Sequence, residues 1–209
     1  RARATPMQKK FLDEVYKAGG QRSVVDLYDD WAGTYDAELE EAAYATPARL
    51  AAALAATDTS TETRVLDYGC GTGLSGLALV AQGYTLIDGA DVSAQMLAGA
   101  EAKQIYGRLW QVDPEAPFPV NPGDYGAIVA AGVVSPGAAP ASLLGDLSDL
   151  LENGGRLAFS FNDHALSDET YVEALRALPD RGMTCLHEEY GDHLPGIGLK
   201  STVYVFDKA

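Results

Sequence analysis

Val65-Leu66-Asp67-Tyr68-Gly69-Cys70-Gly71-Thr72-Gly73 is the stretch that decides the fold. Arg64 to Asp67 is a short, mostly apolar run ending in a carboxylate, which predicts a buried strand. Gly69, Gly71 and Gly73 then permit a tight turn and let a ligand approach the backbone with no Cβ in the way. A helix is expected from Leu74 to Gln82, and its first turn offers free N–H groups to that ligand. Read as Gly71-x-Gly73-x-x-Gly76, the same glycines also match the dinucleotide pattern G-x-G-x-x-G. Asp67 weighs between the two readings. At the strand end it repels a pyrophosphate over the helix N-terminus and attracts a cationic ligand.

Downstream, strand-length apolar runs alternate with helical patterns. Strands are expected over Thr85–Asp91, Leu109–Val112, Tyr125–Ala131 and Arg156–Phe161, and helices over Ala94–Lys103, Ser142–Leu151 and Thr170–Leu178. Asn153-Gly154-Gly155 ends a helix and turns the chain into the next strand. Two last strands, about Met183–Tyr190 and Thr202–Asp207, have no helix between them and are expected to pair antiparallel. Upstream lie three helical stretches: Pro6–Ala18, ended by Gly19-Gly20; Ser23–Glu41, with a break near Gly33; and Pro47–Ala56. The chain therefore reads as one α/β domain over residues 1–209. Residues 1–56 form a helical lid segment and residues 57–209 the core, a seven-stranded, mostly parallel sheet with helices on both faces and a C-terminal antiparallel hairpin. Such sheets bind ligands beyond the carboxyl ends of their strands, so the residues just after each strand are the candidates.

Composition narrows the function. The 15 basic residues are outnumbered by 30 acidic ones, for a formal net charge of −15. A nucleic-acid binder needs Lys and Arg to neutralise phosphates, so nucleic acid is disfavoured as a partner. No apolar run approaches the roughly 20 residues that span a bilayer. The Arg1-Ala2-Arg3-Ala4 start lacks the apolar region of a secretory signal. Cys70 and Cys185 make no disulfide framework, and a reducing cytoplasm is expected. His164, His187 and His193 are scattered, so no metal site is expected.

The Val65–Gly73 stretch resembles the first motif of class I S-adenosylmethionine-dependent methyltransferases, whose core is Rossmann-like. The resemblance implies S-adenosylmethionine as cofactor, a ligand with an ammonium and a sulfonium, and places its methionine end at Asp67, Gly69, Cys70 and Gly71. In Asp91-Val92-Ser93 it implies that Asp91 accepts hydrogen bonds from the ribose diol; the other reading, a helix N-cap, is filled more naturally by Ser93. Met96 matches an apolar residue packing near the adenine, and equally suits plain helix core. Asp113 is implied as acceptor for the adenine amino group, with a turn before Pro114 as the alternative. Ala130, Ala131 and Gly132, at the end of the fourth strand, are small enough for the cofactor and acceptor to come close. The Asn-Pro-Pro-aromatic motif of many amino-group methylases is absent. Tyr28, Trp31 and Tyr35 recur at i, i+3 and i+7 and are expected to share one helix face, as a lid over the cofactor or packed on the core. The Tyr28–Asp36 segment, Met96-Leu97 through Lys103 to Tyr106, and Leu151-Glu152-Asn153-Gly154-Gly155 are similar to the Williams–Beuren-region group of these enzymes.

The expected function is methyl transfer to a small-molecule acceptor by a monomer or homodimer. A base is needed only if the acceptor must lose a proton during reaction. His164, just past the fifth strand, is the first candidate and His193, in an irregular segment, the second; Asn162 and Asp163 share the first one's loop. Cys185 as a methyl-accepting nucleophile is disfavoured. Two alternatives stay open: a protein that binds S-adenosylmethionine without turnover, and an NAD(P)-dependent oxidoreductase.

Overall fold

Val65 and Leu66 are adjacent in the chain and project to opposite faces of a sheet, because strand side chains alternate. Val65 packs with Leu50, Leu54, Leu79, Ile87 and Val129 on one face. Leu66 packs with Ile128, Leu144, Leu147 and Phe159 on the other. Their strand, β1 (Val65–Tyr68), lies mid-sheet and is covered on both sides. A computed structural model describes residues 23–209, so the expected Pro6–Ala18 helix lies outside the described residues.

The other strands are β2 (Ile87–Asp91), β3 (Leu109–Gln111), β4 (Ala127–Ala130), β5 (Arg156–Asn162), β6 (Met183–Leu194) and β7 (Leu199–Lys208). They are ordered β3-β2-β1-β4-β5-β7-β6. β1 to β5 pair in parallel, and β7 runs antiparallel between β5 and β6. From β1 the chain winds outward through β2 and β3, then returns to β4 on the other side of β1. This reversal opens a crevice at the carboxyl ends of β1 and β4.

The helices are α1 (Val24–Trp31), α2 (Tyr35–Glu41), α3 (Thr46–Ala56), α4 (Leu74–Ala81), α5 (Ala94–Ala102), α6 (Leu143–Asp149), α7 (Asp163–Leu166) and α8 (Glu169–Arg176). Local chemistry sets several starts. Ser23 caps α1 by accepting from Asp26 N, and Ser93 caps α5 by accepting from Met96 N. Leu50 and Leu54 of α3 and Leu79 of α4 cover one sheet face. Leu144 and Leu147 of α6 and Tyr171 of α8 cover the other. A third cluster joins α1 and α2 to the rest through Leu27, Trp31, Leu39, Met96 and Leu194.

The break expected near Gly33 is present, between Trp31 and Tyr35, so Tyr28 and Tyr35 stand on successive helices. The final hairpin is longer than its sequence suggests, with β6 reaching Leu194 and β7 starting at Leu199, so His193 is a strand residue. Gly191, Pro195, Gly196 and Gly198 all favour turns locally. Pro195, Gly196 and Gly198 form the turn between the two strands, while Gly191 is held in β6, where Arg49 Nη1 donates to Asp192 O at 2.8 Å and Nη2 to Glu189 O at 2.8 Å.

Candidate active site

Gly69 N and Cys70 N both donate to Ala90 O, at 2.7 and 3.0 Å, which ties the loop after β1 to the end of β2. Gly69 has φ +70°, and a side chain there would run into Val133, so the loops after β1 and β4 touch at this point. Gly71 has φ +54°, and no described residue outside its chain neighbours lies within 4 Å of where a Cβ on it would stand. Its N–H donates to Asp91 Oδ2 at 2.9 Å, and Ser93 N–H donates to Asp91 Oδ1 at 2.9 Å. Burial pushes the Asp91 carboxyl up from its ordinary value, and these backbone N–H groups oppose the shift. A carboxylate has about four lone-pair positions, so each oxygen keeps capacity for a hydroxyl donor.

Asp67 was expected to meet a cation directly, but it has 0% exposure. Ser75 Oγ donates to it at 2.7 and 2.9 Å, and the Tyr106 hydroxyl at 2.7 Å. Burial raises its pKa to about 6 against the lowering effect of those bonds. The carboxylate therefore braces α4 and Tyr106 beneath the loop. Any pull on a cation is exerted through the field of the site and not by contact. Cys70 is buried, and burial pushes its thiol strongly up.

The aromatic rings of α1 and α2 meet despite the helix break. Tyr28 and Trp31 lie 5.9 Å apart, and Trp31 and Tyr35 4.6 Å apart, edge to face. Trp31 and Met96, 3% and 1% exposed, are the joint between α1 and α5. Met96 thus takes the helix-core reading. Tyr35 and Tyr44 instead line a cleft with Gly69, Cys70, Gly71, Leu74 and Ala131; its volume is about 20 Å³. That holds about one water molecule.

Two carboxylates that the sequence reading passed over tie α1 and α2 to the core. Asp29 accepts from Ser93 Oγ and, at 3.4 Å, from Gln95 N. Asp36 accepts from Thr72 Oγ1 and, at 2.7 Å, from Lys103 Nζ, which also donates to Thr72 O at 2.6 Å. Their signal was an acid following each tyrosine in Tyr28-Asp29 and Tyr35-Asp36. Val92 is half-buried and packs on the large core cluster. Asp113 is exposed after β3, and its Oδ1 accepts from Glu115 N at 2.9 Å, which is the turn reading; its other oxygen has no described donor.

Beyond β4, Ala130 is buried and Gly132 has φ +68°. Gly132 N donates to Ser160 Oγ at 2.8 Å. A Cβ on Gly132 would run into the Tyr44 hydroxyl, with the His193 ring just behind. Tyr44 and His193 meet edge to face at 5.2 Å. His193 is 3% exposed. Burial lowers its pKa to about 4; Asp163 opposes this, and Arg49 and His164 add to it. The first-ranked base candidate, His164, is exposed on α7, and the structure brings His193 to Gly132. Asn162 accepts from Ala165 N as the cap of α7, and Asp163 accepts from the Tyr190 hydroxyl and Lys200 N. Among the described residues no cluster of His, Cys, Asp and Glu is arranged to hold a metal, and no helix is long and apolar enough to cross a membrane.

A family described as a methyltransferase domain matches residues 35–194. Human methyltransferase-like protein 27 is 32% identical over 159 residues, which cover 74% of this chain and 64% of that protein, so the match spans less than two thirds of the relative's length. Among solved structures, a Thermotoga maritima SAM-dependent methyltransferase, described as a possible histamine N-methyltransferase, is similar at TM-score 0.64 and 14% identity, over 90% of this chain and 100% of that one. Magnesium protoporphyrin IX methyltransferase from Synechocystis PCC 6803, with SAM bound, is similar at TM-score 0.59 and 18% identity, over 98% and 92%. At such identities these two structures bear on the fold.

Proposed function

The chain belongs to the methyltransferase-domain family, and from that premise we propose that it transfers a methyl group from S-adenosylmethionine to a small-molecule acceptor. The observation that carries this reading is the pairing of Asp91 with Gly71: a buried carboxylate already oriented by two backbone N–H groups, beside a glycine where a Cβ would meet no described residue outside its chain neighbours. A ribose diol suits the remaining lone pairs. A pyrophosphate, repelled by Asp91 and by Asp67 beneath the loop, does not. The residues present therefore fit the cofactor.

When bound, S-adenosylmethionine supplies a methyl carbon activated by its sulfonium. Gly69, Cys70 and Gly71 give the methionine end a close approach to the backbone. Asp91 holds the ribose, the second oxygen of Asp113 suits the adenine amino group, and Val92 packs beside them. Tyr28 and Tyr35, with Trp31 and Met96 behind them, exclude water from the reacting atoms. Ala130 and Gly132 are the small residues at the end of β4, and the Tyr44 hydroxyl stands over Gly132, on the side from which an acceptor would approach. Ligand pockets commonly measure about 300 Å³ or more, so the lid opens at Asp29 and Asp36 to admit the cofactor. The acidic balance of the chain favours a small acceptor over nucleic acid. Two free cysteines suit a reducing cytoplasm.

Calorimetry with S-adenosylhomocysteine tests the reading. The protein should bind it and not NAD, and Asp91→Ala should weaken binding well over tenfold, the loss of charge-assisted hydrogen bonds worth roughly 1.5–3 kcal/mol each. Unchanged affinity in Asp91→Ala, or a preference for NAD, overturns it.

A further inference from the structure

Two peptide planes join Lys103 to Asp91 in one line of hydrogen bonds. Lys103 Nζ donates to Thr72 O at 2.6 Å. The peptide that carries this carbonyl also carries Gly73 N–H, which donates to Cys70 O at 2.8 Å. The peptide that carries the Cys70 carbonyl also carries Gly71 N–H, which donates to Asp91 Oδ2 at 2.9 Å. Both peptides are trans, so C=O and N–H point opposite ways in each plane. The line therefore runs from an ammonium to a carboxylate with its dipoles head to tail. Cys70, Thr72 and Asp91 are buried, and in such surroundings bonds in series polarise one another. The Thr72–Gly73 peptide turns about the φ of Gly73, which stands at +97° and, in a glycine, has many alternatives. Its two hydrogen bonds, one of them from Lys103, hold that plane in place.

We propose that Lys103 is a positioning residue for the cofactor site: through these two peptides it sets the Gly71 N–H on Asp91, and so the direction of the carboxylate that takes the ribose. The inference rests on the methyl-transfer reading above and deepens it. Ser93 and Lys103 are the N-cap and C-cap of α5. Ser93 N–H holds Asp91 Oδ1 and Lys103, through the loop, serves Oδ2, so α5 reaches both oxygens from its two ends. The stem of Lys103 is packed for this task, because a Cβ on Gly73 would stand 3.2 Å from Lys103 Cδ. The same ammonium donates to Asp36 Oδ2 at 2.7 Å, and Thr72 Oγ1 donates to Asp36 Oδ1. A cation that only tied α2 to the core would need the Asp36 contact alone. The bond to Thr72 O is the one the loop uses.

The test combines calorimetry with amide NMR. The unaltered protein is first titrated with S-adenosylhomocysteine. Failure to bind it overturns the methyl-transfer reading and the inference with it, whereas binding without an effect of Lys103 overturns the inference alone. Lys103→Met keeps an unbranched stem beside Gly73 and removes the charged donor. Its Gly71 amide proton should move upfield as the bond to Asp91 lengthens, and S-adenosylhomocysteine should bind about five- to tenfold more weakly. Lys103→Arg keeps a charged donor and should restore most of both. Asp36→Asn leaves Lys103 on Thr72 O, so its Gly71 amide should move much less than in Lys103→Met. A Gly71 amide or an affinity unmoved in Lys103→Met, or an equal amide shift in Asp36→Asn, overturns the proposal. If Lys103→Met does not fold, Lys103→Gln, a neutral donor, answers in its place: a smaller shift in the same direction is expected, and no shift overturns the proposal.

Discussion

The cluster around Asp91, proposed above to hold the nucleoside, and the cluster around Gly132 and His193 are assembled differently. Asp67, Gly69, Gly71, Asp91 and Ser93 come from one short run of chain, β1 to the start of α5, and their bonds join neighbouring loops. The second cluster joins Tyr44 and Thr46 to Gly132, His193 and Ser201; Thr46 and Ser201 are 155 positions apart. A site made within one supersecondary unit leaves a motif, whereas a site made by packing distant segments leaves single residues without a pattern.

Glycine substitution should separate the halves most strongly. Gly69→Ala places a side chain at φ +70° against the branched end of Val133. Strain and overpacking together should cost ~3 kcal/mol or more in urea unfolding. Gly132→Ala carries the same backbone strain at φ +68°, but its Cβ meets the far end of Tyr44, which can swing aside. It should cost about 1–2 kcal/mol. Equal losses would erase the distinction between a fixed nucleoside loop and a yielding cluster around Gly132.

The two halves should also respond oppositely to pH. Asp67 titrates at about 6 in the fold against 3.8 ordinarily, so its contribution is fullest below 3.8 and is lost as pH rises to about 6. His193 titrates at about 4 against 6.5, so its contribution is present above 6.5 and is lost as pH falls to about 4. Each effect is worth about 3 kcal/mol and they offset one another between pH 4 and 6. Asp67→Asn should therefore make stability fall more steeply on acidification than in the unaltered protein, and His193→Gln less steeply. Parallel stability–pH curves for all three proteins would refute the opposition.

The smallest effect concerns α1 and α2, the proposed lid. Asp36→Asn removes the partly exposed ion pair with Lys103, worth no more than about 1 kcal/mol. Stopped-flow tryptophan fluorescence, with Trp31 as reporter, should show S-adenosylhomocysteine associating a few-fold faster. High salt should speed the unaltered protein and leave Asp36→Asn nearly unchanged. A slower association in the variant would mean that the pair serves the open state.

Most of the core was legible in the residue pattern. The glycine loop marked β1, the alternation of elements marked the parallel strands, and the missing helix before β7 marked the antiparallel hairpin. The break near Gly33 was legible as well, and Pro195, Gly196 and Gly198 form the turn that their residue types favour. The length of β6 was not legible: Gly191 and Asp192 continue the strand, held by Arg49 from α3. Gly69, Gly71 and Asp91 stand together at the ends of β1 and β2. Asp67 moved beneath the loop, because its strand position points it at Ser75 and Tyr106.

By itself the sequence determined the fold class and the cofactor-side loop, since periodicity, glycine freedom and capping act within a few residues of chain. Only the tertiary structure decided which histidine stands at Gly132, which acids tie α1 and α2 to the core, and that Asp67 is wholly buried. Those outcomes depend on which remote segments exclude water from one another, and no local pattern encodes that.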